Sequence, residues 1–235
     1  MKTLLLAAGR GERMRPLSDE TPKALLNAGG RALIEYHLEA LAQARWYDIV
    51  INLAHLGGQI RDTLGDGQRY GVRIVYSDEG ARGLETGGGI LNALPLLGPE
   101  PFLVVNSDIW TDYAFTDLPT KPSGLAHLVM VTNPTHHPQG DFVLERGKLF
   151  DKPEDPRLTF SGIGIYRPAL FAECSPGAFP LAPLLRRAMA ESQVSGEHYR
   201  GRWFDVGTPA RLAELDRMLL ERENGRASAK LPPPQ

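Results

Sequence analysis

Cysteine is nearly absent from this chain: Cys174 is the only one in 235 residues. An internal disulfide framework is therefore excluded, and the composition fits a reducing compartment. Cys174 itself reads as a small, half-buried side chain. Long apolar runs are also lacking, and none approaches the roughly 20 residues needed to span a bilayer. The opening Met1-Lys2-Thr3-Leu4 could begin a signal peptide, but Arg10, Arg13 and Arg15 arrive too early for a full apolar segment and cleavage site. The expected location is cytoplasmic. Nor is there a surplus of one charge: 26 Lys and Arg face 28 Asp and Glu, for a net charge of −2. That balance gives no general attraction to nucleic acid or an anionic membrane, so any cationic site must be local. With 42% hydrophobic and 23% charged residues, the chain has an ordinary globular composition and enough length to bury a sizeable core. No internal repeat is visible. A single domain is expected over residues 1–223, followed by a disordered tail over 224–235 that ends in Leu231-Pro232-Pro233-Pro234-Gln235.

What is present starts at the amino terminus. The apolar run Leu4-Leu5-Leu6-Ala7-Ala8 breaks into Gly9-Arg10-Gly11-Glu12-Arg13-Met14-Arg15-Pro16-Leu17, with Thr21-Pro22-Lys23-Ala24-Leu25 close behind. A buried strand delivering a glycine bend lets backbone N–H groups approach an anion. Arg10, Arg13, Arg15 and Lys23 add charge suited to the oxygens of a triphosphate. Two common phosphate motifs fail here. A dinucleotide fingerprint needs a third small residue where Met14 stands and an acidic residue about 20 positions further on. A P-loop needs Ser or Thr after its lysine, whereas Lys23 precedes Ala24.

Downstream, Leu33, Ile34, His37, Leu38 and Leu41 recur at helical spacing, and Asp48–Leu53 reads as a buried strand. A short helix around Gln59–Leu64, a turn at Gly65-Asp66-Gly67, a strand at Val72–Tyr76 and a helix entered through Gly87-Gly88-Gly89 repeat the pattern. A third strand, Phe102–Asn106, ends at Ser107-Asp108. Alternating strands and helices imply a mostly parallel sheet with ligands at its carboxyl ends. From about residue 125 the rhythm becomes strand and turn: Leu125–Thr132, Asp141–Leu144, Lys148–Phe150 and Phe160–Tyr166, with a hairpin tip at Arg146-Gly147. Helices follow from Leu181 to Met189 and after Pro209, a favourable first helical residue.

Three further clusters carry chemistry. In Leu84-Glu85-Thr86-Gly87-Gly88-Gly89 the glycines strip a helix start of side chains, either as a flat seat for a base or as a flexible turn capped by Thr86. Asp108 closes a strand, where a carboxylate can take one place in an octahedral magnesium site or simply cap a loop. Trp203-Phe204-Asp205-Val206-Gly207-Thr208-Pro209 reads as strand, turn and cap. The adjacent His136-His137 face opposite ways without a cysteine partner, so they read as exposed rather than metal-binding.

The first loop resembles the signature of the sugar-nucleotide pyrophosphorylases, a family of nucleotidyltransferases. It departs from that pattern at Ser18, where threonine is usual, and at Ala24, where proline is usual. The Leu84–Gly89 cluster resembles the corresponding family segment, especially that of the N-acetylmuramate-1-phosphate uridylyltransferases. The resemblance implies an α/β, Rossmann-like three-layer α/β/α fold with a mostly parallel mixed sheet and a smaller antiparallel portion. It implies a nucleotide-binding half over about 1–110 and a sugar-phosphate half over about 111–223. It also implies a magnesium-dependent condensation of a nucleoside triphosphate with a sugar 1-phosphate, UTP and N-acetylmuramic acid 1-phosphate being favoured, within cell-wall recycling. Carried over by position, Lys23 and Arg15 are catalytic. Ala8, Gly9, Arg10, Gly11, Glu12, Arg13, Lys23, Glu85, Gly87 and Gly88 bind the nucleotide. Asn106, Gly140, Asp141 and Lys152 meet the sugar phosphate, and Asp108 and Asp205 hold Mg²⁺. Ser107 stands where the family has glycine, which bears on the geometry beside the metal. Mannose-1-phosphate guanylyltransferases and glucose-1-phosphate thymidylyltransferases share the first loop and the aspartates, and a non-catalytic nucleotide-sugar sensor is a further reading. No nucleic-acid or membrane partner is expected, and a monomer is.

Overall fold

The computed structural model describes residues 1–80 and 83–228. In chain order the strands are β1 (Thr3–Leu6), β2 (Asn27–Ala28), β3 (Arg31–Ala32), β4 (Asp48–Leu53), β5 (Arg73–Asp78), β6 (Phe102–Asn106) and β7 (Ile109–Thr111). They continue with β8 (Ala126–Val131), β9 (Val143–Glu145), β10 (Lys148–Phe150), β11 (Thr159–Tyr166), β12 (Val194–Tyr199) and β13 (Trp203–Asp205). The helices are α1 (Leu17–Glu20), α2 (Leu33–Gln43), α3 (Gly57–Leu64), α4 (Glu85–Leu97), α5 (Ala182–Ala190) and α6 (Pro209–Ser228).

Nine strands form one mixed sheet in the order β5-β4-β1-β6-β11-β8-β12-β10-β9. Parallel pairing joins β5, β4, β1 and β6, with Leu6 opposite both Asn52 and Asn106. Antiparallel pairing enters at β11, which lies between β6 and β8, and β12 then pairs parallel with β8. The β9–β10 hairpin joins β12 through the single registered pair Lys148 and Ser195.

Alternation along each inner strand supplies the two faces of the sheet, because successive side chains point opposite ways. Leu5, Ile49, Ile51, Leu103 and Val105 pack with Ile34, Leu38 and Leu41 of α2 and with Ile60 and Leu64 of α3. Leu4, Val50, Phe102 and Val104 pack with Ile90, Ala93 and Leu97 of α4 and with Leu185 and Met189 of α5. The helix spacings read from the sequence are therefore the ones that cover the sheet.

A third, smaller cluster joins Met14, Leu26, Ala28, Leu33, Trp110 and Val206 to Leu215 and Leu219 of α6. Asp216 also accepts a hydrogen bond from the Gly29 amide at 2.8 Å. The last helix thus returns to the first loops, and β13 pairs antiparallel with β7 as a separate two-stranded ribbon.

Helix α6 continues to Ser228, five residues into the segment expected as a disordered tail. Residues 229–235 of that segment lie outside the described residues. Among the described residues no helix is long and apolar enough to cross a membrane.

Candidate active site

A cleft of about 720 Å³ opens at the carboxyl ends of β1, β4, β5 and β6, and residues 6–14 of the first bend form its floor. The bend is anchored at both sides. Met14 is fully buried in the third cluster, and its amide donates to the Gly11 carbonyl at 2.7 Å. The Ser18 hydroxyl donates to the same carbonyl at 2.7 Å, so this departure from the family pattern keeps a structural hydroxyl. Gly11 has φ +63°, the left-handed region that favours glycine, and a side chain there would press on Ser18 and Lys23. With Met14 pinned, Arg10, Glu12 and Arg13 are left facing the cleft.

Lys23 and Asp108 meet inside it. Lys23 Nζ donates to Asp108 Oδ2 at 2.5 Å, joining the turn after the bend to the end of β6. The lysine side chain is 12% exposed and the aspartate 39%, so the pair is open to a ligand on the carboxylate side. Ser107 does not crowd this point, because it is buried and its hydroxyl donates to the Leu6 carbonyl at 2.6 Å.

Asp205 approaches from the β7–β13 ribbon, where Val206 N–H donates to the Asp108 carbonyl at 2.9 Å. The backbones of the two distant aspartates are thus adjacent. Their carboxylates have different partners: Asp205 Oδ1 lies 2.7 Å from Arg211 Nη1, and Oδ2 lies 3.3 Å from His136 Nε2. The Arg211 contact is not aligned as a hydrogen bond, so Asp205 Oδ1 and the Nε and Nη1 of Arg211 are buried polar atoms held by charge alone. Among the described residues no three His, Cys, Asp or Glu side chains form a metal cage. Two carboxylates on neighbouring backbones, one with a poorly satisfied oxygen, nevertheless fit magnesium, which uses one or two protein carboxylates beside water and phosphate oxygens.

The structure brings Ala8, Gly9, Arg10, Gly11, Glu12, Arg13, Lys23, Glu85, Asn106 and Asp108 to the cleft wall. It does not bring Arg15 there: that side chain lies on the surface with its Nε 3.0 Å from Asp19. Gly87 and Gly88 are buried in the first turn of α4, which begins at Glu85. Both amides donate to the Phe179 carbonyl, at 3.0 and 3.1 Å. A side chain at 87 would strike the Phe179 ring at 2.5 Å, and one at 88 the Gly177 carbonyl at 2.1 Å. Helix packing therefore accounts for these two glycines, and Glu85 and Thr86 are the residues of that cluster facing the cleft. Glu85 does so with φ +58°, a backbone conformation uncommon outside glycine.

Of the acceptor-side residues, Asn106 lines the cleft and the other three are engaged elsewhere. Asp141 accepts from the Phe160 amide at 2.8 Å and stands 3.1 Å from His137. Gly140 packs against Asn133 and Arg157. Lys152 donates to both oxygens of Glu145 at 2.8 Å on an exposed hairpin.

Sequence reasoning missed four cleft-region residues. Asn52 and Glu79 line the cleft; their signal was a polar residue inside the apolar run Ile49–Leu53 and an acid just past a strand end. Arg211 crowds Gly207, where a side chain would meet its Nη2 at 2.1 Å and Arg13 Nη2 at 3.3 Å. The fourth, His136, is exposed as expected, and what the sequence did not show is that its Nε2 stands 3.3 Å from Asp205. Beneath the site, buried His37 contacts the Ile109 carbonyl at 2.8 Å. Burial pushes its pKa down to about 4, with the carbonyl and Asp108 opposing. It is therefore neutral at pH 7 and donates Nε2–H to that carbonyl.

The family model described as Nucleotidyl transferase matches residues 2–222. N-acetylmuramate alpha-1-phosphate uridylyltransferase of Neisseria meningitidis is 54% identical over 91% of this chain and 96% of its own length. The protein of the same description from Caulobacter vibrioides is 36% identical over 90% and 96%. A mannose-1-phosphate guanylyltransferase catalytic subunit beta from Dictyostelium discoideum is 30% identical over 89% of this chain and 62% of its own. A crystal structure of a glucose-1-phosphate thymidylyltransferase candidate from Bacillus anthracis, in complex with sucrose, superposes with a TM-score of 0.82 at 21% identity. It covers 94% of this chain and 96% of that one, a likeness that bears on the fold. With the family model spanning most of the chain and the cleft built on its glycine bend, this chain belongs to the nucleotidyl transferase family.

Proposed function

We propose that this protein transfers the uridylyl group of UTP to N-acetylmuramic acid 1-phosphate, releasing pyrophosphate. The observation that carries the reading is the 54% identity, over nearly the full length of both chains, to the Neisseria uridylyltransferase. The reaction needs no protein nucleophile. An oxygen of the sugar phosphate forms a bond to the α-phosphorus as the bond to the α–β bridging oxygen breaks, and pyrophosphate leaves with that electron pair. The acceptor is already an anion and needs no base, so the protein's task is alignment and charge neutralisation.

The cleft supplies both. The Gly9–Gly11 bend, Arg10 and Arg13 cradle the β- and γ-phosphates. Arg13 takes the role that position alone gave to Arg15. Lys23 turns from Asp108 to the α-phosphate, adding a preorganised cation where charge accumulates. Glu85 and Thr86 bound the nucleoside side, and Asn106 offers a hydrogen-bonding group to the acceptor. Asp108 and Asp205 would hold magnesium, with Arg211 fixing the second carboxylate. When bound, that ion neutralises charge on the transferring phosphate and the leaving pyrophosphate. Gly140, Asp141 and Lys152 are not among the residues lining the cleft, and Lys152 would have to leave Glu145 to reach an acceptor.

The proposed product would belong to enzymes that return cell-wall sugars to nucleotide form; a monomer is the proposed assembly state, which light scattering of the purified protein checks. The deciding experiment crosses four nucleoside triphosphates with several sugar 1-phosphates and reads pyrophosphate release. The expected outcome is turnover with UTP and N-acetylmuramic acid 1-phosphate. Turnover of GTP with mannose 1-phosphate, with muramate and glucosamine derivatives inert, would overturn the substrate assignment.

A further inference from the structure

Three hydrogen bonds cross the carboxyl edge of the parallel strands and tie the two cleft loops together. The Ala7 amide, just past β1, donates to Asn52 Oδ1 at 2.6 Å. Asn52 Nδ2, on the neighbouring β4, donates to Glu79 Oε1 at 2.6 Å. The Leu84 amide, at the start of α4, donates to Glu79 Oε2 at 2.7 Å. Asn52 is only 3% exposed, so leaving its amide unpaired would be costly.

The chemistry of this chain is directional. An ionised carboxylate only accepts hydrogen bonds, so Glu79 forces the NH₂ of Asn52 toward itself and the oxygen toward Ala7. Reversing that amide would face an oxygen with a carboxylate and set two N–H groups against each other. Gly89 fits the same device. A side chain there would lie 2.4 Å from Glu79 Oε1 and 3.0 Å from Asn52 Nδ2, so the third glycine of the cluster makes room for the bridge.

We propose that Asn52 and Glu79 are positioning residues that lock the phosphate bend to the start of α4. Phosphate contacts at Gly9–Arg13 and nucleoside-side contacts at Glu85 and Thr86 are thereby presented as one rigid surface. The inference rests on the nucleotide reading above and deepens it: preorganisation lowers the ordering loss on binding a ligand that touches both loops. Inorganic pyrophosphate touches the bend alone and benefits less.

The test is a swap. N52D sets two carboxylates against each other, and UTP affinity by calorimetry should fall by about tenfold or more, with pyrophosphate affinity falling less. E79Q removes the directionality and should weaken UTP by roughly fivefold. N52D/E79Q restores every bond at unchanged net charge: the new carboxylate accepts from the Ala7 amide and from the new amide, whose oxygen accepts from Leu84. UTP affinity and KM should then return to within about threefold of wild type, a rescue expected only for coupled groups. Thermal melting of all the variants reports folding, and if N52D alone does not fold, E79Q against the double variant still decides. The bridge is overturned if adding N52D to E79Q weakens UTP further, or if a folded N52D binds UTP like wild type. Wild-type protein that binds no nucleoside triphosphate would overturn the nucleotide reading instead.

Discussion

The all-parallel part of the sheet, from β5 to β6, and the mixed part beyond it treat their polar residues differently. At the ends of β1, β4, β5 and β6, Ala7, Asn52, Glu79, Asn106 and Asp108 come together around one cleft. Beyond β11, the candidates Asp141 and Lys152 are tied off by His137 and by Glu145. Parallel strands joined by helices deliver their carboxyl ends to one edge, so each strand end that carries a polar residue adds to the same site. Hairpins return the chain locally, and a motif there is free to satisfy its charges with its own neighbours.

The comparison can be broken or sharpened by experiment. The largest effect is expected from K23A, which should lower kcat by roughly 2–4 kcal/mol of transition-state stabilisation. Unchanged turnover would remove the lysine from the chemistry and leave the parallel edge without its central cation. Next comes His37, whose folded pKa of about 4 lies below its unfolded value of 6.5. Because the unfolded chain binds more protons between those values, stability is full above pH 6.5 and is lost as pH falls toward 4. The loss reaches about 3 kcal/mol. Urea titrations from pH 7 to pH 4 should show that slope, and H37Q should flatten it.

D108N should raise the magnesium concentration for half-maximal activity by about tenfold or more with the melting temperature retained. An identical metal titration would take Asp108 out of the metal's surroundings. The smallest effects should come from R15A and K152A. Both are surface ion pairs, worth at most about 1 kcal/mol, and the KM for each substrate should move by less than about threefold. A hundredfold rise in sugar-phosphate KM for K152A would bring the mixed part of the sheet back into the site.

Much of the scaffold was readable because periodicity and burial point the same way. The strands Asp48–Leu53 and Phe102–Asn106 have the expected bounds, and the apolar positions of α2 face the sheet. The β2–β3 pair and β7 are two and three residues long, too short for a period to show. Helix α6 overran its expected end because polar composition alone does not stop a helix. In the site, Gly9–Arg13 and Lys23 were readable because close phosphate approach needs glycine and fixed positive charge. Arg15 and Arg13 carry the same signal two residues apart, and only the folded bend shows that Arg13 lines the cleft while Arg15 pairs with Asp19.

From the chain alone came the family, the glycine bend, the alternation of strand and helix, and the residue types any phosphate chemistry here must use. These are local properties: spacing, apolar period and backbone permission. Tertiary structure decided that Asp205 arrives beside Asp108 through the β7–β13 ribbon, and that Gly87 and Gly88 serve Phe179 and Gly177. It also decided that Asn52 and Glu79 join two loops into one wall. Each of these depends on which segments the folded sheet makes neighbours, and contacts between residues tens of positions apart have no period for a sequence to display.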